Sequence, residues 1–278
     1  MRIRVVHETI YSYEQPARGL VQVLRMRPRD HDGQYVRRWR IDPSVDGRLT
    51  EREDGYGNIV HWFTPDEASD ALVIRVTGEV DTNECHGVVR GSVERLPDPF
   101  YLRETDLVAA SPEIQAFADS VGAAGDRAVL PTLHRLHAAV HAQVGFAPGP
   151  ASGAVTAAKA FEAGAGICQD IAHVFIAAAR HLEIPARYVS GYRLDEKAVE
   201  LETPHGWAEA LVPDLGWVTF DPAYESGPSE AYIRVATGLD YLGAAPIRGS
   251  RTGGGTETLD VTLRVELVQA ASKAATRS

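Results

Sequence analysis

Gly164-Ala-Gly-Ile-Cys168-Gln-Asp-Ile-Ala-His-Val-Phe-Ile-Ala-Ala-Ala-Arg-His-Leu182-Glu-Ile-Pro185-Ala-Arg-Tyr-Val-Ser-Gly-Tyr192 changes character twice, and its reading decides the fold. The glycines end whatever precedes them. The following run of helix formers predicts a helix from Cys168 to Leu182, because Ile184-Pro185 cannot continue it. Ala186 to Tyr192, rich in β-branched and aromatic residues, then predicts a strand. A thiol therefore stands where a loop turns into a helix. There the positive end of the helix dipole and the first unpaired N–H groups favour thiolate. The same N–H groups can hold a developing oxyanion. A lone cysteine is more often a small buried hydrophobe, so taken locally both readings stay open.

Working downstream, His205 to Val212 and Trp217 to Phe220 predict two strands joined by Pro213-Asp-Leu-Gly216. Along the first, His205, Trp207 and Glu209 share one face, and Gly206, Ala208 and Ala210 share the other. The small side suits close packing against the helix, which leaves the histidine side for a cleft. An odd-length connection around Gly216, a residue suited to a bulge, would put Asp221 opposite Trp207 and diagonal to His205. An even one would send Asp221 to the other face. In the first register a carboxylate backs an imidazole, the requirement of a nucleophile–base–orienter set. Singly, His205 reads as a satisfied histidine and Asp221-Pro222 as a turn opener. The ordered set of three is not explained that way. Trp207 and Trp217 are candidates for the wall of an acyl cleft, or plain core aromatics.

Upstream, Ser111-Pro112-Glu113 is a helix start, with the hydroxyl as N-cap. Leu133, Leu136, Val140 and Val144 mark a second helix, and Thr156 to Glu162 a third. His134, His137 and His141 fall on or near one face of the second and are read as solvated. Before the stiff Leu96-Pro-Asp-Pro99 the chain predicts short strands at Leu20–Met26, Gln34–Ile41, Asn58–Thr64 and Leu72–Val80, divided by turn clusters. That spacing suggests a β-sandwich. Leu259, Val261, Leu263, Val265 and Leu267 alternate as one more strand, whose partner the sequence leaves open. The last ten residues read as disordered. The expected organisation is a β-rich domain over 1–95, a linker over 96–110, a catalytic core over 111–250, and a C-terminal strand and tail over 251–278.

With 278 residues, 44% hydrophobic and 24% charged, the composition is that of a globular protein. The formal charge of −10 disfavours nucleic acid and anionic membranes, which need a basic face. No signal-like stretch opens the chain and no run of about 18 apolar residues occurs, so the expectation is a cytoplasmic protein with no membrane span. Cys85 and Cys168 could form at most one bridge, which would silence the thiol.

Gly166-Ile-Cys168-Gln-Asp-Ile-Ala-His173, Ile184-Pro-Ala-Arg-Tyr-Val-Ser-Gly191-Tyr, His205-Gly-Trp-Ala-Glu209 and Gly216-Trp-Val-Thr-Phe-Asp221-Pro occur in the order found in bacterial transglutaminase-like proteins, which this chain resembles. Ile233-Arg-Val-Ala-Thr-Gly238 and the Asp54…Gly57-Asn58 turn extend the likeness to nearly the whole length. The resemblance implies an α+β fold: a β-sandwich-like N-terminal domain, then a papain-like, transglutaminase-like core. In that core the cysteine heads a helix packed on an antiparallel sheet. It further implies Cys168, His205 and Asp221 as the catalytic triad, acting on a peptide or protein substrate through a thioester, with hydrolysis expected over transamidation and no cofactor. Gly206 and Ala208 are smaller than the family's usual residues. Gln169 is a candidate oxyanion donor by its N–H or side chain, and Trp207 a candidate cleft residue. Asp170 is expected to cap the helix, and His173 to pack beneath the site or hydrogen-bond the sheet. A zinc site from Cys168, Asp170, His173 and His205 is disfavoured, since positions five apart on a helix diverge and no Cys-x-x-Cys pair helps.

Overall fold

The computed structural model describes residues 1–126, 128–147, 149, 155–195, 204–225 and 229–268; the tail read as disordered lies outside them. The first strand is far longer than expected. β1 runs over Arg2–Arg27, not Leu20–Met26 alone. Ile3, Val5, His7, Thr9, Tyr11 and Tyr13 are its buried row, alternating with Arg4, Glu8 and Ser12. The charged alternate positions, paired across strands as Arg4 with Glu79 and Glu8 with Arg75, are what hid it. β2 (Gln34–Pro43), β3 (Gly47–Glu53), β4 (Ile59–Pro65) and β5 (Ser69–Thr82) follow, then the short β6 (Val88–Val89). Residues 98–102 of the expected linker form a 3-10 turn.

Four helices and two short strands come next: α1 (Pro112–Ala123), α2 (Val129–Gln143), β7 (Gly145–Phe146), α3 (Ala157–Ala163), β8 (Ala165–Gly166) and α4 (Cys168–His181). Ser111 caps α1 by accepting from the Ile114 N–H. β9 (Ala186–Arg193), β10 (His205–Val212), β11 (Gly216–Phe220) and β12 (Tyr232–Gly238) build the core sheet. α5 (Tyr241–Ala244), β13 (Ile247–Gly253) and β14 (Glu257–Leu267) close the described chain.

Among the described residues the strands form two main sheets. The N-terminal one has the order β2-β5-β1-β4-β3, with β13 and β14 also pairing β1. β1 lies between β5 and β14 over its first half and between β4 and β13 over its second. Register breaks near Ala17 and Val21 separate the halves, so the sheet curls in a sandwich-like way around Tyr11, Leu24, Met26, Phe63, Leu72 and Ile74. The C-terminal strand therefore does return to the N-terminal sheet.

The core sheet is antiparallel, in the order β12-β9-β10-β11-β6. α4 packs against β10 and β9, and its side chains from Ile171 to Ala179 are buried. The small face foreseen for β10 is what lets it approach. At Gly206 a Cβ would stand 1.9 Å from the Tyr188 hydroxyl, so that position has no room for a side chain. One apolar core runs from α1, α2 and α4 through Tyr188 and Ile233 to Ile3, Val5, Leu263 and Val265 of the N-terminal sheet. Shared burial of this kind fixes how the two parts face each other.

On the sheet's other face the fully buried Glu209 accepts from Arg187 at 2.6 Å and from Arg234 at 2.7 Å. Arg187 also reaches Glu94 and stacks 3.8 Å from the Trp217 ring. Trp217 also meets Tyr101 edge-on at 4.9 Å, so it is a core aromatic and not a cleft wall.

Candidate active site

Cys168 is the first residue of α4 and 9% exposed. As an N-terminal helix residue its N–H, like that of Gln169, has no helical acceptor ahead of it. Asp170 caps this start as expected: its Oδ2 accepts from the Ile167 N–H at 3.1 Å, as the acidic half of a capping box does. Burial raises its carboxyl pKa, and Oδ1 has no hydrogen-bond partner.

Trp207 pairs with Asp221 by extension of the ladder Ala208–Phe220, Glu209–Thr219 and Leu211–Trp217. The odd, three-residue connection between Val212 and Gly216 sets this register, with Gly216 at φ +89° and no break inside the ladder. A loop thus does what a bulge was expected to do. Asp221 is fully buried and lies diagonal to His205. His205 Nε2 is 2.6 Å from Asp221 Oδ2. Nδ1 is the nitrogen left to face Cys168, which lines the same cleft. His205 and Cys168 each open their element. That brings them together at the end of the helix–sheet layer, although α4 covers the Gly206 face.

The charge state of His205 follows from its surroundings. Burial alone drives its pKa down. The Asp221 and Cys168 charges, with hydrogen bonds to both, overcome this and raise it to about 10. At neutral pH the imidazole is held as imidazolium between two partners.

Several neighbours position this set and were not foreseen. Tyr232 on β12 donates to Asp221 Oδ2 at 2.8 Å, and the Ala223 N–H donates to Oδ1. His137 Nε2 donates to the Asp221 carbonyl at 3.0 Å, and His141 Nδ1 to the Pro222 carbonyl at 3.0 Å. The α2 histidines are therefore not simply solvated: two clamp the Asp221–Pro222 turn, and His134 packs on Phe220. Helical spacing had put them on one side of α2; that this side meets the turn is tertiary information. His173, fully buried with its pKa lowered to about 4 by burial, accepts the Tyr241 N–H on Nε2.

A cleft of about 170 Å³ opens over Cys168, lined among others by Gln169, Tyr188, His205 and Tyr241. Gln169 is 5% exposed, and its Nε2 has no partner. Trp207 does not line this cleft, which corrects the expectation. Its indole stacks behind the His205 ring at 5.9 Å and 24° and borders a separate cavity of about 60 Å³ on the opposite face. It is there because β10 alternates, and the helix side belongs to Gly206 and Ala208. The second thiol, Cys85, is on that far cavity, and both cysteines are free. Among the described residues no cluster of histidines, cysteines and carboxylates could hold a metal ion, and no helix is long and apolar enough to cross a membrane.

Residues 3–81 match the family model of the bacterial transglutaminase-like N-terminal region, and residues 115–222 that of the transglutaminase-like superfamily. An uncharacterised protein of Mycobacterium leprae is 29% identical over 278 residues, 95% of this chain and 98% of that protein. A protein-glutamine gamma-glutamyltransferase of Pseudomonas aeruginosa is 31% identical over 109 residues, 34% of this chain and 16% of that protein. In fold, a candidate cysteine protease of Cytophaga hutchinsonii matches with a TM-score of 0.77, covering 97% of this chain and 91% of that one at 18% identity. This likeness in fold takes in both the N-terminal sheet and the papain-like α+β core. With its N-terminal sheet and its thiol-bearing core each matched, the chain belongs to the bacterial transglutaminase-like proteins.

Proposed function

We propose that the protein is a cysteine-dependent hydrolase of peptide or carboxamide bonds, with Cys168 as nucleophile, His205 as acid and base, and Asp221 as the residue that orients His205. The observation that supports this reading is the His205 imidazole, held at 2.6 Å by the buried Asp221 carboxylate while it lines the same cleft as Cys168. The thiolate attacks the carbonyl carbon, and the oxygen takes the displaced electron pair. The N–H groups at the start of α4, with the Gln169 amide beside them, would bind that oxyanion. Imidazolium gives its proton to the departing nitrogen as the C–N bond breaks, leaving a thioester. Neutral His205 then takes a proton from water as it attacks, and the carboxylic acid and thiol are released.

The partial likeness to the Pseudomonas glutamyltransferase favours a second reading, in which a primary amine takes the place of that water. A fold retained only for binding would have no use for a buried carboxylate, an imidazole and a thiol in hydrogen-bonded sequence. The test incubates the protein with a peptide library, with and without a primary amine, and reads products by mass spectrometry. Hydrolysis products that disappear with Cys168→Ala are expected. Amine adducts formed in preference to acids would move the assignment to transamidation. Turnover that survives Cys168→Ala would remove Cys168 from the chemistry.

A further inference from the structure

The cleft over Cys168 has a second wall, and it comes from the two ends of the chain. β1 and β14 pair so that Thr9 faces Val261 and Tyr11 faces Leu259, and all four line the cleft. We propose that this cleft is an acyl-side pocket for one uncharged, apolar side chain, so that the preferred substrate carries a leucine- or phenylalanine-like group next to the scissile carbonyl. The proposal rests on Cys168 being the nucleophile and adds the substrate class.

Three observations carry it. The first is size. A cavity of about 150 Å³ with apolar walls accepts a benzene ring, and drug-sized ligands need roughly 300 Å³ or more. At about 170 Å³ this cleft fits a single side chain.

The second is chemistry. Leu259, Val261 and Ile247 meet Tyr11, Tyr188 and Tyr241 across the space. Of the polar side chains in the lining, His7, Thr9 and Ser190 are already engaged. His7 bonds to the Tyr192 hydroxyl and to Thr9, and burial lowers its pKa to about 4, so it is neutral. The Ser190 hydroxyl donates to the Ala244 carbonyl. Apart from His205, whose charge Asp221 already compensates, a charged side chain would find no carboxylate, lysine or arginine among the described lining residues, and desolvating it there is unfavourable. Gln169 Nε2, buried and unpartnered beside Cys168, suits the carbonyl oxygen that must accompany such a side chain.

The third is Leu259 itself, 55% exposed at the edge of the cleft, a large apolar surface that a bound side chain would cover. The half of the substrate bonded to sulfur stays beside this wall, while the amine leaves from the His205 side.

Peptidyl chloromethyl ketones bearing Leu, Phe, Asp or Lys next to the ketone test the proposal. In each the Cys168 sulfur forms a C–S bond as chloride leaves. Rates are read by mass spectrometry and divided by the rate with iodoacetamide, which has no side chain. The Leu and Phe reagents are expected to react at least ~10-fold faster than Asp and Lys, the effect of burying one apolar side chain. Leu259→Asp should lower the Leu rate and raise the Lys rate several-fold, each divided by that variant's own iodoacetamide rate. Equal rates across the wild-type series, or faster reaction with Asp or Lys, would overturn the pocket while leaving the nucleophile intact. Iodoacetamide that fails to select Cys168 over Cys85 would overturn both.

Discussion

Replacing Asp221 by Asn removes one charge and leaves the shape. In the wild type, His205 keeps its proton up to about pH 10 instead of an ordinary 6.5. At about 1.4 kcal/mol per pH decade this is on the order of 5 kcal/mol in favour of imidazolium. Burial pulls the other way, and the carboxylate is the largest influence opposing it. Without it, imidazolium beside Cys168 is no longer favoured at neutral pH. Alkylation of Cys168 by iodoacetamide at pH 7 is expected to fall ~100-fold or more, in keeping with the large losses seen when a triad carboxylate is neutralised.

The same change has a signature in stability. A group whose pKa is raised on folding contributes fully below its unfolded value, and that contribution is lost as pH rises through the folded one. Urea unfolding of the wild type should therefore show stability declining between about pH 6.5 and pH 10, with much of this slope absent in Asp221→Asn. Undiminished alkylation together with an unchanged slope would refute the claim that Asp221 governs the imidazole.

Three further substitutions probe the supports. Glu209→Gln removes the anion that Arg187 and Arg234 share, leaving Arg187 with Glu94 alone and Arg234 without this carboxylate, and should destabilise the fold by about 3 kcal/mol in urea melts. His137→Ala deletes the donor to the Asp221 carbonyl and is expected to cost about 1–3 kcal/mol in chemical denaturation. It should also slow iodoacetamide labelling, which a purely structural loss far from the site would not do. Gly206→Ala places a methyl 1.9 Å from the Tyr188 hydroxyl and should lower stability by roughly 1–3 kcal/mol, read as a drop in the thermal midpoint.

Much of this architecture was legible in the residues because the deciding signals are local. Helix starts at Ser111 and Cys168, the stop at Pro185 and the small face of β10 need only neighbours in sequence. The placement of Asp221 was legible too, since strand alternation and an odd connection before Gly216 set it. What escaped depends on distant partners. The sequence shows only the second half of β1 as a strand, because the outer row of its first half is charged and the partners of Arg4 and Glu8 are Glu79 and Arg75 of β5. Tyr232 needed β12 to be recognised as a strand beside β9. His137 needed the packing of α2 behind β11. Sharing a face with His205 points Trp207 toward a cleft on that side; the cleft instead opens where Cys168, Tyr188 and the start of β10 meet, which only the packing of α4 on the sheet decides.

Pairing Ile3 with Leu267 and Tyr11 with Leu259 joins segments separated by almost the full length of the chain. Contacts of such high sequence separation form late and slowly. As the polypeptide leaves the ribosome, Cys168, His205 and Asp221 all emerge before Leu259 and Val261, so the reactive thiol exists for a time without the surface that would choose its substrate. Shortening the chain ahead of β14 would keep all three chemical groups in the polypeptide but take Leu263 and Val265 from the shared core and open an edge of β1 where the proposed pocket has its wall.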